Sequence, residues 1–462
     1  MNNTFRVTSP VDNSVVVKRD LATVADCQRS ILNAKKVQSE WRQSTITERS
    51  RLCHLAIDYL VEHQDRLTKE ISWQMGRPIS FTAGELRGVE ERARYMIRIA
   101  EDSLANIDLS DALTRRWIQR LPLGLVLTIA PWNYPYLTAI NSVIPAIMAG
   151  NGVLLKHSLQ TPLCAEALQA AFDHAGLPAG VFQYLHLDHQ ATEILANDPA
   201  INFISFTGSY AAGMHFEKSI AGRNKGLSLE LGGKDPAYVR EDAELDFSVD
   251  NLLDGAFFNS GQSCCAIERI YVHENIYDRF VAAYIDKVYQ YKFASPLDYG
   301  TTLGPMVNRR SADRVRAQIK QACGAGAITH IDATKFDHED KGAYLAPQVL
   351  TEVNHSMAVM QEETFGPVVG IMKVASDAEA VTLMNDSRYG LTASIWTEDL
   401  AQAEIIGNTI DTGTVFMNRC DYLDPALAWN GIKDSGRGCA LSSLGYQQLT
   451  RPKSFHLKRR ES

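Results

Sequence analysis

Helical patterns and short apolar runs alternate between residues 141 and 233, and this alternation restricts the fold more than any other feature. An apolar run at 152–155 precedes a helical pattern that extends from about 161 to 174. Two more apolar runs, at 203–206 and 227–229, flank the start of another helix. Strands that alternate with helices form a parallel sheet covered by helices on both faces. The sequence therefore predicts an α/β fold.

A second alternating region follows Gly233, with strand candidates at 269–272, 368–371 and 413–416. A chain of 462 residues is too long for one ordinary hydrophobic core, and the usual domain size favours roughly two or three domains. We therefore expect two doubly wound α/β domains.

The region between the N-terminus and residue 155 contains three further predicted features. Apolar residues recur at helical spacing from about 46 to 76, and a second helix extends to about 100. Two short strands, at 116–119 and 125–129, flank the turn signal Leu-Pro-Leu-Gly at 121–124, which predicts a β-hairpin. The uncharged stretch 134–155 is interrupted by Pro135, Pro145 and Gly150, so a buried helix followed by a buried strand is favoured over a membrane span.

Charge and cysteine usage exclude several classes of partner and site. A net charge of −8 and a pI near 5.9 argue against a nucleic acid or an anionic membrane surface as partner. The eight cysteines include no CxxC pair and no spacing flanked by histidine, so neither a metal site nor a disulfide framework is predicted. A reducing cytoplasm is the expected location, and residues 1–6 lack the pattern of a signal peptide.

Two short motifs carry chemically suitable residues. Glu230 lies in Leu-Glu-Leu-Gly-Gly at 229–233, and Cys264 ends Gly-Gln-Ser-Cys at 261–264. A thiolate can add to an electrophilic carbon, and a carboxylate can then activate the water that removes the covalent adduct. The pair predicts covalent catalysis.

Two more motifs extend this pattern: Pro-Trp-Asn-Tyr-Pro at 131–135 and Glu-Glu-Thr-Phe-Gly-Pro at 362–367. Together, and in this order, the four motifs resemble those of the aldehyde dehydrogenase superfamily, over nearly the whole chain. The resemblance implies a Rossmann-like cofactor-binding domain at 1–113 and 131–231 and a catalytic domain at 232–425. It also implies a hairpin-based oligomerisation element at 114–130 and 448–462, a segment at 426–447 that returns to the cofactor-binding domain, and a homodimer or homotetramer.

The resemblance assigns the catalytic roles to three residues. Cys264 is the expected nucleophile, and its neighbour Cys265 should point away from the substrate. Asn133 should donate a side-chain N–H to the oxyanion, together with the backbone N–H of Cys264. Hydride transfer to a nicotinamide would leave a thioester, which water activated by Glu230 would hydrolyse.

The same resemblance implies NAD or NADP as cofactor. Glycines after a strand and at a helix start suit a pyrophosphate, and the expected cofactor-binding residues are Trp132, Lys156, Ser158, Gly208, Ser209, Gly213, Leu231, Glu363 and Phe365. At two positions after Lys156 the chain departs from the family pattern: His157 replaces a proline, and Leu159 replaces a ribose-binding glutamate. NADP is therefore not excluded, because no carboxylate at 159 repels its 2′-phosphate.

Two auxiliary groups of the family are missing from this chain. Ser142 occupies the position of a helper lysine, and Gly-Cys-Ala at 438–440 replaces Gly-Arg-Glu. Glu230 should therefore act alone in deacylation, and its presence argues against acyl transfer to coenzyme A.

The substrate pocket is expected to contain Tyr134, Thr138, Asn141, Leu423 and Trp429. Asn141 is neutral where oxidisers of succinate semialdehyde carry an arginine, so a dicarboxylic semialdehyde is disfavoured. Oxidisers of betaine aldehyde need a second tryptophan at the same position. The residues favour an uncharged aliphatic or aromatic aldehyde.

Two alternatives to aldehyde oxidation remain. One is an acylating or reductive relative, and the other is a non-catalytic binding or structural protein with the same fold. Retention of Cys264, Glu230 and Asn133 together weighs against the second, since the fold alone does not require them.

Overall fold

The computed structural model describes residues 4–336 and 342–458. The strands are β1 Thr4–Thr8, β2 Val15–Asp20, β3 Ile107–Asp108, β4 Thr114–Pro122, β5 Leu125–Ala130, β6 Gly152–His157, β7 Phe182–Tyr184, β8 Ile201–Thr207, β9 Gly226–Glu230, β10 Asp235–Val239, β11 Ile267–His273, β12 Ile328–Thr329, β13 Gln348–Thr351, β14 Val368–Val374, β15 Tyr389–Gly390, β16 Thr392–Trp396, β17 Thr414–Met417, β18 Ile432–Lys433, β19 Gly436–Arg437 and β20 Thr450–Lys458. The α-helices are α1 Val24–Trp41, α2 Ile46–Glu62, α3 Gln64–Met75, α4 Ile79–Leu104, α5 Pro135–Met148, α6 Pro162–His174, α7 His189–Asn197, α8 Tyr210–Ser219, α9 Leu245–Phe257, α10 Tyr277–Val288, α11 Arg309–Gly324, α12 Ala358–Gln361, α13 Asp377–Asn385, α14 Leu400–Gly407 and α15 Ser442–Gln448.

The first large sheet has the strand order β19-β9-β8-β5-β6-β7. Its strands pair in parallel, except that β19 is antiparallel to β9. The strands predicted at 152–155, 203–206 and 227–229 are confirmed as parts of β6, β8 and β9. Because β5 has β6 on one side and β8 on the other, the strand order reverses at β5. Ligands bind beyond the carboxyl ends of strands at such a reversal.

The second large sheet has the order β12-β13-β14-β11-β10-β16-β17 and is parallel except at its β12 edge. It confirms the strand candidates at 269–272, 368–371 and 413–416 as β11, β14 and β17. The four residues 231–234 connect β9 of the first sheet to β10 of the second. The carboxyl end of the first sheet and the amino end of the second therefore meet at this connection.

The predicted β-hairpin at 114–130 is wrong. Strand β4 pairs with β20 and β3 in a separate three-stranded sheet, whereas β5 lies in the first large sheet between β6 and β8. The reason is burial: all six residues of β5 are buried, while most of β4 is half-buried. A continuous apolar run is typical of a central parallel strand. Residues 125–130 therefore do not belong to the oligomerisation element predicted at 114–130 and 448–462. Its residues 459–462 lie outside the described part of the chain.

The uncharged stretch 134–155 forms helix α5 and strand β6, as predicted. Among the described residues, none of the helices combines the length and the apolar character that a membrane span requires. The helical pattern at 46–76 is divided into α2 and α3 at His63, whose ring nitrogen Nδ1 contacts the carbonyl oxygen of Tyr59 at 2.8 Å.

Candidate active site

A cavity of about 640 Å³ lies where the two large sheets meet. Fourteen of the seventeen predicted site residues line it: Trp132, Asn133, Tyr134, Thr138, Asn141, Gly208, Ser209, Glu230, Leu231, Cys264, Glu363, Phe365, Leu423 and Trp429. Lys156, Ser158 and Gly213 do not line this cavity. The residues that share it come from segments as distant in sequence as 132 and 429, so the fold alone brings them together.

Close backbone contacts bring the four motifs together. Gly233 lies so near the carbonyl oxygen of Cys264 that a side chain would not fit between them, and Gly232 is similarly close to the carboxyl group of Glu363. Asn133 adds a third contact, because its Nδ2 donates a hydrogen bond of 3.2 Å to the carbonyl oxygen of Gln262. The glycines of the 229–233 motif therefore permit the close approach of the others.

Two adjacent cysteines line the cavity but differ in their surroundings. Cys264 is partly exposed, and Cys265 is buried. The Cys265 thiol donates a hydrogen bond of 2.9 Å to Asp421. The neighbouring Cys264 thiol and burial raise the pKa of Cys265 well above its usual range. Cys265 is thus kept as a thiol, and Cys264 is the more accessible sulfur.

A buried ion pair that sequence reasoning missed fixes the backbone at Asn133. The guanidinium of Arg77 contacts Glu85 and the Asn133 carbonyl oxygen, and its Nε donates to Asn259 Oδ1 at 3.1 Å. Glu85 in turn accepts hydrogen bonds from the backbone N–H groups of residues 136 and 137 in the first turn of α5. A carboxylate is favourable at a helix N-terminus, so the pair connects α4 to the residue expected to stabilise an oxyanion.

Four of the ten non-glycine residues with positive φ in the described part of the chain lie in the cavity or just before the motif of Cys264. Asn259, Ser260, Phe365 and Asp421 all have positive φ, between 48° and 57°. Such conformations cost of order 1–3 kcal/mol each outside glycine and persist at sites that the surroundings fix. The strained pair at 259–260 directly precedes the motif that contains Cys264. The position of this motif is also fixed by a 2.8 Å hydrogen bond from the Val307 N–H to the Gln262 side chain.

Glu230 ends strand β9 with its carboxyl group buried. Neither of its oxygens has a hydrogen-bond partner among the described residues. Burial raises the pKa of Glu230 well above its usual range, and the nearby Trp429 indole opposes this only in part. A carboxyl group of this kind is a suitable general base when ionised.

The turn from β8 into α8 has the features of an anion-binding helix start. Gly208 follows β8, and the Ser209 hydroxyl accepts a hydrogen bond from the Ala212 N–H as the helix N-cap. Free N–H groups at a helix N-terminus bind phosphate. Further into the helix, Gly213 leaves room only for the Leu231 side chain, so its role here is close packing.

Lys156 lies just before the carboxyl end of β6, where it pairs with Ile129 of β5, and Ser158 directly follows the strand. Burial lowers the pKa of Lys156 to about 8, although the negative charge of Asp188 acts to raise it. His157, at the position of the family proline, is buried, and its Nε2 lies 2.9 Å from the Pro135 carbonyl oxygen. The lysine is therefore on the expected edge of the sheet, beyond the cavity that contains Cys264.

The loop at 363–365 is fixed by a buried acid outside the predicted site. Glu268 accepts hydrogen bonds of 2.8 Å from the N–H groups of Thr364 and Phe365 and is paired with Lys234. The ring of Phe365 meets that of Trp132 edge to face at 5.8 Å between centroids. Burial raises the pKa of Glu363 to about 8.

The five predicted substrate residues all line the cavity. The Tyr134 hydroxyl is buried without a hydrogen-bond partner among the described residues, and the Arg77 guanidinium lies 4.4 Å from its ring centroid. Thr138 donates its hydroxyl hydrogen to the Tyr134 carbonyl oxygen at 2.8 Å. Trp429 is fixed by two backbone hydrogen bonds of 2.8 Å with Ala440, and Leu423 packs against the same core. Tyr134, Leu423 and Trp429 therefore give the cavity an aromatic and apolar part, whereas Thr138 and Asn141 are polar.

Comparisons with known proteins identify the family of the chain. The model of the Aldehyde dehydrogenase family matches residues 1–455. An aldehyde dehydrogenase of Paenarthrobacter nicotinovorans is 34% identical over 444 residues, which cover 94% of this chain and 95% of the relative. The NADP-type succinate-semialdehyde dehydrogenase 1 of Mycobacterium tuberculosis is 31% identical over 445 residues, which cover 96% of this chain and 97% of the relative.

Solved structures are similar over the same length. A betaine aldehyde dehydrogenase from Staphylococcus aureus in complex with NAD+ has a TM-score of 0.93 at 29% identity, covering 98% of this chain and 91% of that chain. A succinic semialdehyde dehydrogenase from Streptococcus pyogenes in complex with NADP+ has a TM-score of 0.94 at 27% identity, and the match covers 98% of this chain and 100% of that chain. This chain belongs to the aldehyde dehydrogenase family and is an NAD(P)-dependent enzyme that oxidises aldehydes.

Proposed function

We propose that Cys264 is the nucleophile of this oxidation. Its thiolate would add to the aldehyde carbon, and the negative charge would pass to the former carbonyl oxygen, beside the Asn133 amide. The single observation that carries this proposal is the contrast between the partly exposed Cys264 and the buried, hydrogen-bonded Cys265 in one cavity. The Arg77 contact with the Asn133 backbone supports a fixed oxyanion donor.

The residues present fit a bound dinucleotide. The Ser209-capped start of α8 and the close packing at Gly213 suit a pyrophosphate, and the carboxyl ends of β5 and β8 flank the reversal of strand order. Lys156 and Ser158 would bind the adenosine ribose, while Trp132, Leu231, Glu363 and Phe365 would surround the nicotinamide half. When bound, the dinucleotide accepts a hydride from the substrate carbon.

We propose that Glu230 completes the reaction. Loss of hydride from the carbon attached to sulfur leaves a thioester on Cys264. Glu230 would remove a proton from water as it attacks this thioester, which releases the carboxylic acid and returns the thiolate. The absence of a hydrogen-bond partner on either Glu230 oxygen, within the described residues, supports a carboxyl group free to bind water. The same base disfavours an enzyme that transfers the acyl group to coenzyme A.

The proposal also covers the assembly of the protein and its location. A homodimer or homotetramer formed through β4 and β20 is supported by exposed apolar side chains near that sheet, among them Leu113 and Leu457. The domain boundaries predicted above would then hold, with 125–130 assigned to the cofactor-binding domain. A reducing compartment such as the cytoplasm is supported by the eight free cysteines.

The test compares two adjacent cysteine variants. Cys264→Ala should abolish reduction of NAD and NADP with every aldehyde of a panel, whereas Cys265→Ala should retain most of it. Brief iodoacetamide treatment of the unmutated enzyme should label Cys264 in step with the loss of activity. Loss of activity that follows modification of Cys265 would refute the assignment.

A further inference from the structure

Helix α4 contributes an arginine to the cavity that no part of the reaction described above uses. Gly84, Gly88 and Arg92 lie four residues apart on α4, and all three line the cavity. Positions with this spacing share one face of a helix. The two glycines leave that face without side chains, so Arg92 is positioned to extend into the space beside α5.

Arg92 lies next to Asn141 but makes no ion pair within the described residues. Its Nη1 lies 3.5 Å from Asn141 Oδ1, at the outer limit of a hydrogen bond. No carboxylate oxygen of the described part of the chain is within 4.0 Å of its guanidinium. The surrounding protein removes enough water to lower its pKa from the usual range, although an arginine remains charged.

The acidic groups around Arg92 already have other donors. Glu85 is paired with Arg77 and caps α5. Glu91 accepts a hydrogen bond of 3.0 Å from the Tyr422 hydroxyl. Asp421, whose pKa burial raises to about 6, accepts from Ser263 and Cys265. None of these three carboxyl groups forms a salt bridge with Arg92.

Arg92 is half-buried and faces the cavity, and its charge has no ion-pair partner among the described residues, so an anion bound in the cavity would be stabilised by it. The amide of Asn141 adds to the site, because its Nδ2 donates no hydrogen bond to the described residues. Arg92 and Asn141 together therefore offer several N–H donors to one anionic group. A guanidinium matches the planar, two-oxygen geometry of a carboxylate.

We propose that Arg92 selects aldehydes that carry a carboxylate at the end remote from the reacting carbon. The proposal rests on the proposed function, since it assigns the substrate class of the same cavity. It reverses the expectation from the sequence that a dicarboxylic semialdehyde is disfavoured. That expectation depended on the neutral side chain at 141, whereas the structure brings a cation to this position from the neighbouring helix.

The test measures charge discrimination. The ratio of kcat/KM for succinic semialdehyde to that for the neutral aldehyde butanal is determined for the unmutated enzyme with its dinucleotide. The enzyme should prefer the charged aldehyde, and Arg92→Met should reduce the ratio by about 10- to 100-fold, mainly through KM for the charged aldehyde. Arg98→Met, the same substitution on the exposed side of α4, should leave the ratio unchanged.

A second measurement does not depend on turnover or on the folding of the variant. In the unmutated enzyme, succinate should slow the labelling of Cys264 by iodoacetamide, whereas butanol at the same concentration should not. Equal protection by both compounds would overturn the proposal.

Three kinetic results would also overturn it. These are an unmutated enzyme without preference for the charged aldehyde, an unchanged ratio in Arg92→Met, and a preference for the phosphate-bearing glyceraldehyde 3-phosphate over succinic semialdehyde. Failure of the proposed function gives a different result, because Cys264→Ala would then still oxidise succinic semialdehyde and butanal.

Discussion

At the scale of single residues, the protonation of the acids around the cavity is set by the removal of water. Burial raises the pKa of Glu230, of Glu363 and of Asp421, the last two to about 8 and about 6. An acid with a raised pKa becomes a base only at higher pH than an exposed one. The pH dependence of each step therefore reports which of these groups takes part.

The first prediction concerns Glu230. Because its pKa is raised, the fraction in the basic form increases as pH rises, so kcat should increase with pH through the neutral and alkaline range. Glu230→Gln should lower kcat by about 100-fold or more and should remove this dependence while an initial burst of reduced cofactor remains. Stopped-flow measurements across pH test both effects. An unaltered pH profile in the variant would show that another group is the base.

The second prediction concerns Leu159, in the turn after β6. Both NAD and NADP should be used, because no carboxylate at this position repels a 2′-phosphate. Leu159→Glu should lower kcat/KM for NADP by about tenfold or more through charge repulsion, and it should offer NAD a hydrogen-bond acceptor. The ratio of kcat/KM for the two dinucleotides is the measurement. Strong discrimination against NADP by the unmutated enzyme would contradict the prediction.

At the scale of elements, one buried ion pair connects α4 to the start of α5. Arg77 and Glu85 are almost fully buried, and a pair of this kind is costly to break because the remaining charge has no water to solvate it. Arg77 also contacts the Asn133 backbone and Asn259, so the pair connects the stability of the fold to the position of the proposed oxyanion donor.

The third prediction follows from this coupling. Arg77→Met should destabilise the protein by about 3–5 kcal/mol, because it leaves the Glu85 charge buried and unpaired. Arg77→Lys should rescue it only in part, since an ammonium cannot reproduce the planar fork of donors. Thermal unfolding midpoints measure the effect, with Arg51→Met at an exposed pair as the control. A similar midpoint in Arg77→Met and Arg51→Met would contradict the role of the pair.

The sequence predicted elements and motifs well but not their long-range partners. The strands β6, β8 and β9 and the grouping of Asn133, Glu230 and Cys264 followed from periodicity and from the family resemblance. Strand β5 was misassigned because a turn signal is local, whereas its partners are set by burial. Arg77 and Arg92 were missed because their contacts are with residues distant in sequence. The positive φ of Asn259 could not be predicted from the sequence, because glycine is the residue that usually indicates this conformation.

At the scale of the whole molecule, the three-stranded sheet β20-β4-β3 is separate from both large sheets. Its strand β20 pairs with β4 over nine residues, and the Trp117 and Phe455 rings stack at 4.3 Å between centroids. Ile107, Leu113 and Leu457 are 44–59% exposed there. Grouped apolar side chains on a surface favour contact with another protein.

The fourth prediction concerns assembly. If this sheet forms the subunit interface, Leu113→Lys combined with Leu457→Lys should reduce the oligomer to a smaller species, because charges would have to be buried on association. Light scattering coupled to size exclusion gives the mass. Leu32→Lys, at an exposed leucine of α1, is the matched control. An unchanged mass in the double variant would assign the interface to another surface.

The covalent step is tested most directly by trapping the acyl enzyme. Glu230→Gln is mixed with a dinucleotide and an aldehyde substrate, quenched in acid and digested, and the peptide that contains both cysteines is sequenced by tandem mass spectrometry. We predict the mass of the acyl group on Cys264 in a large fraction of the molecules, with Cys265 unmodified. An acyl group on Cys265, or cofactor reduction without any acylated cysteine, would contradict the mechanism.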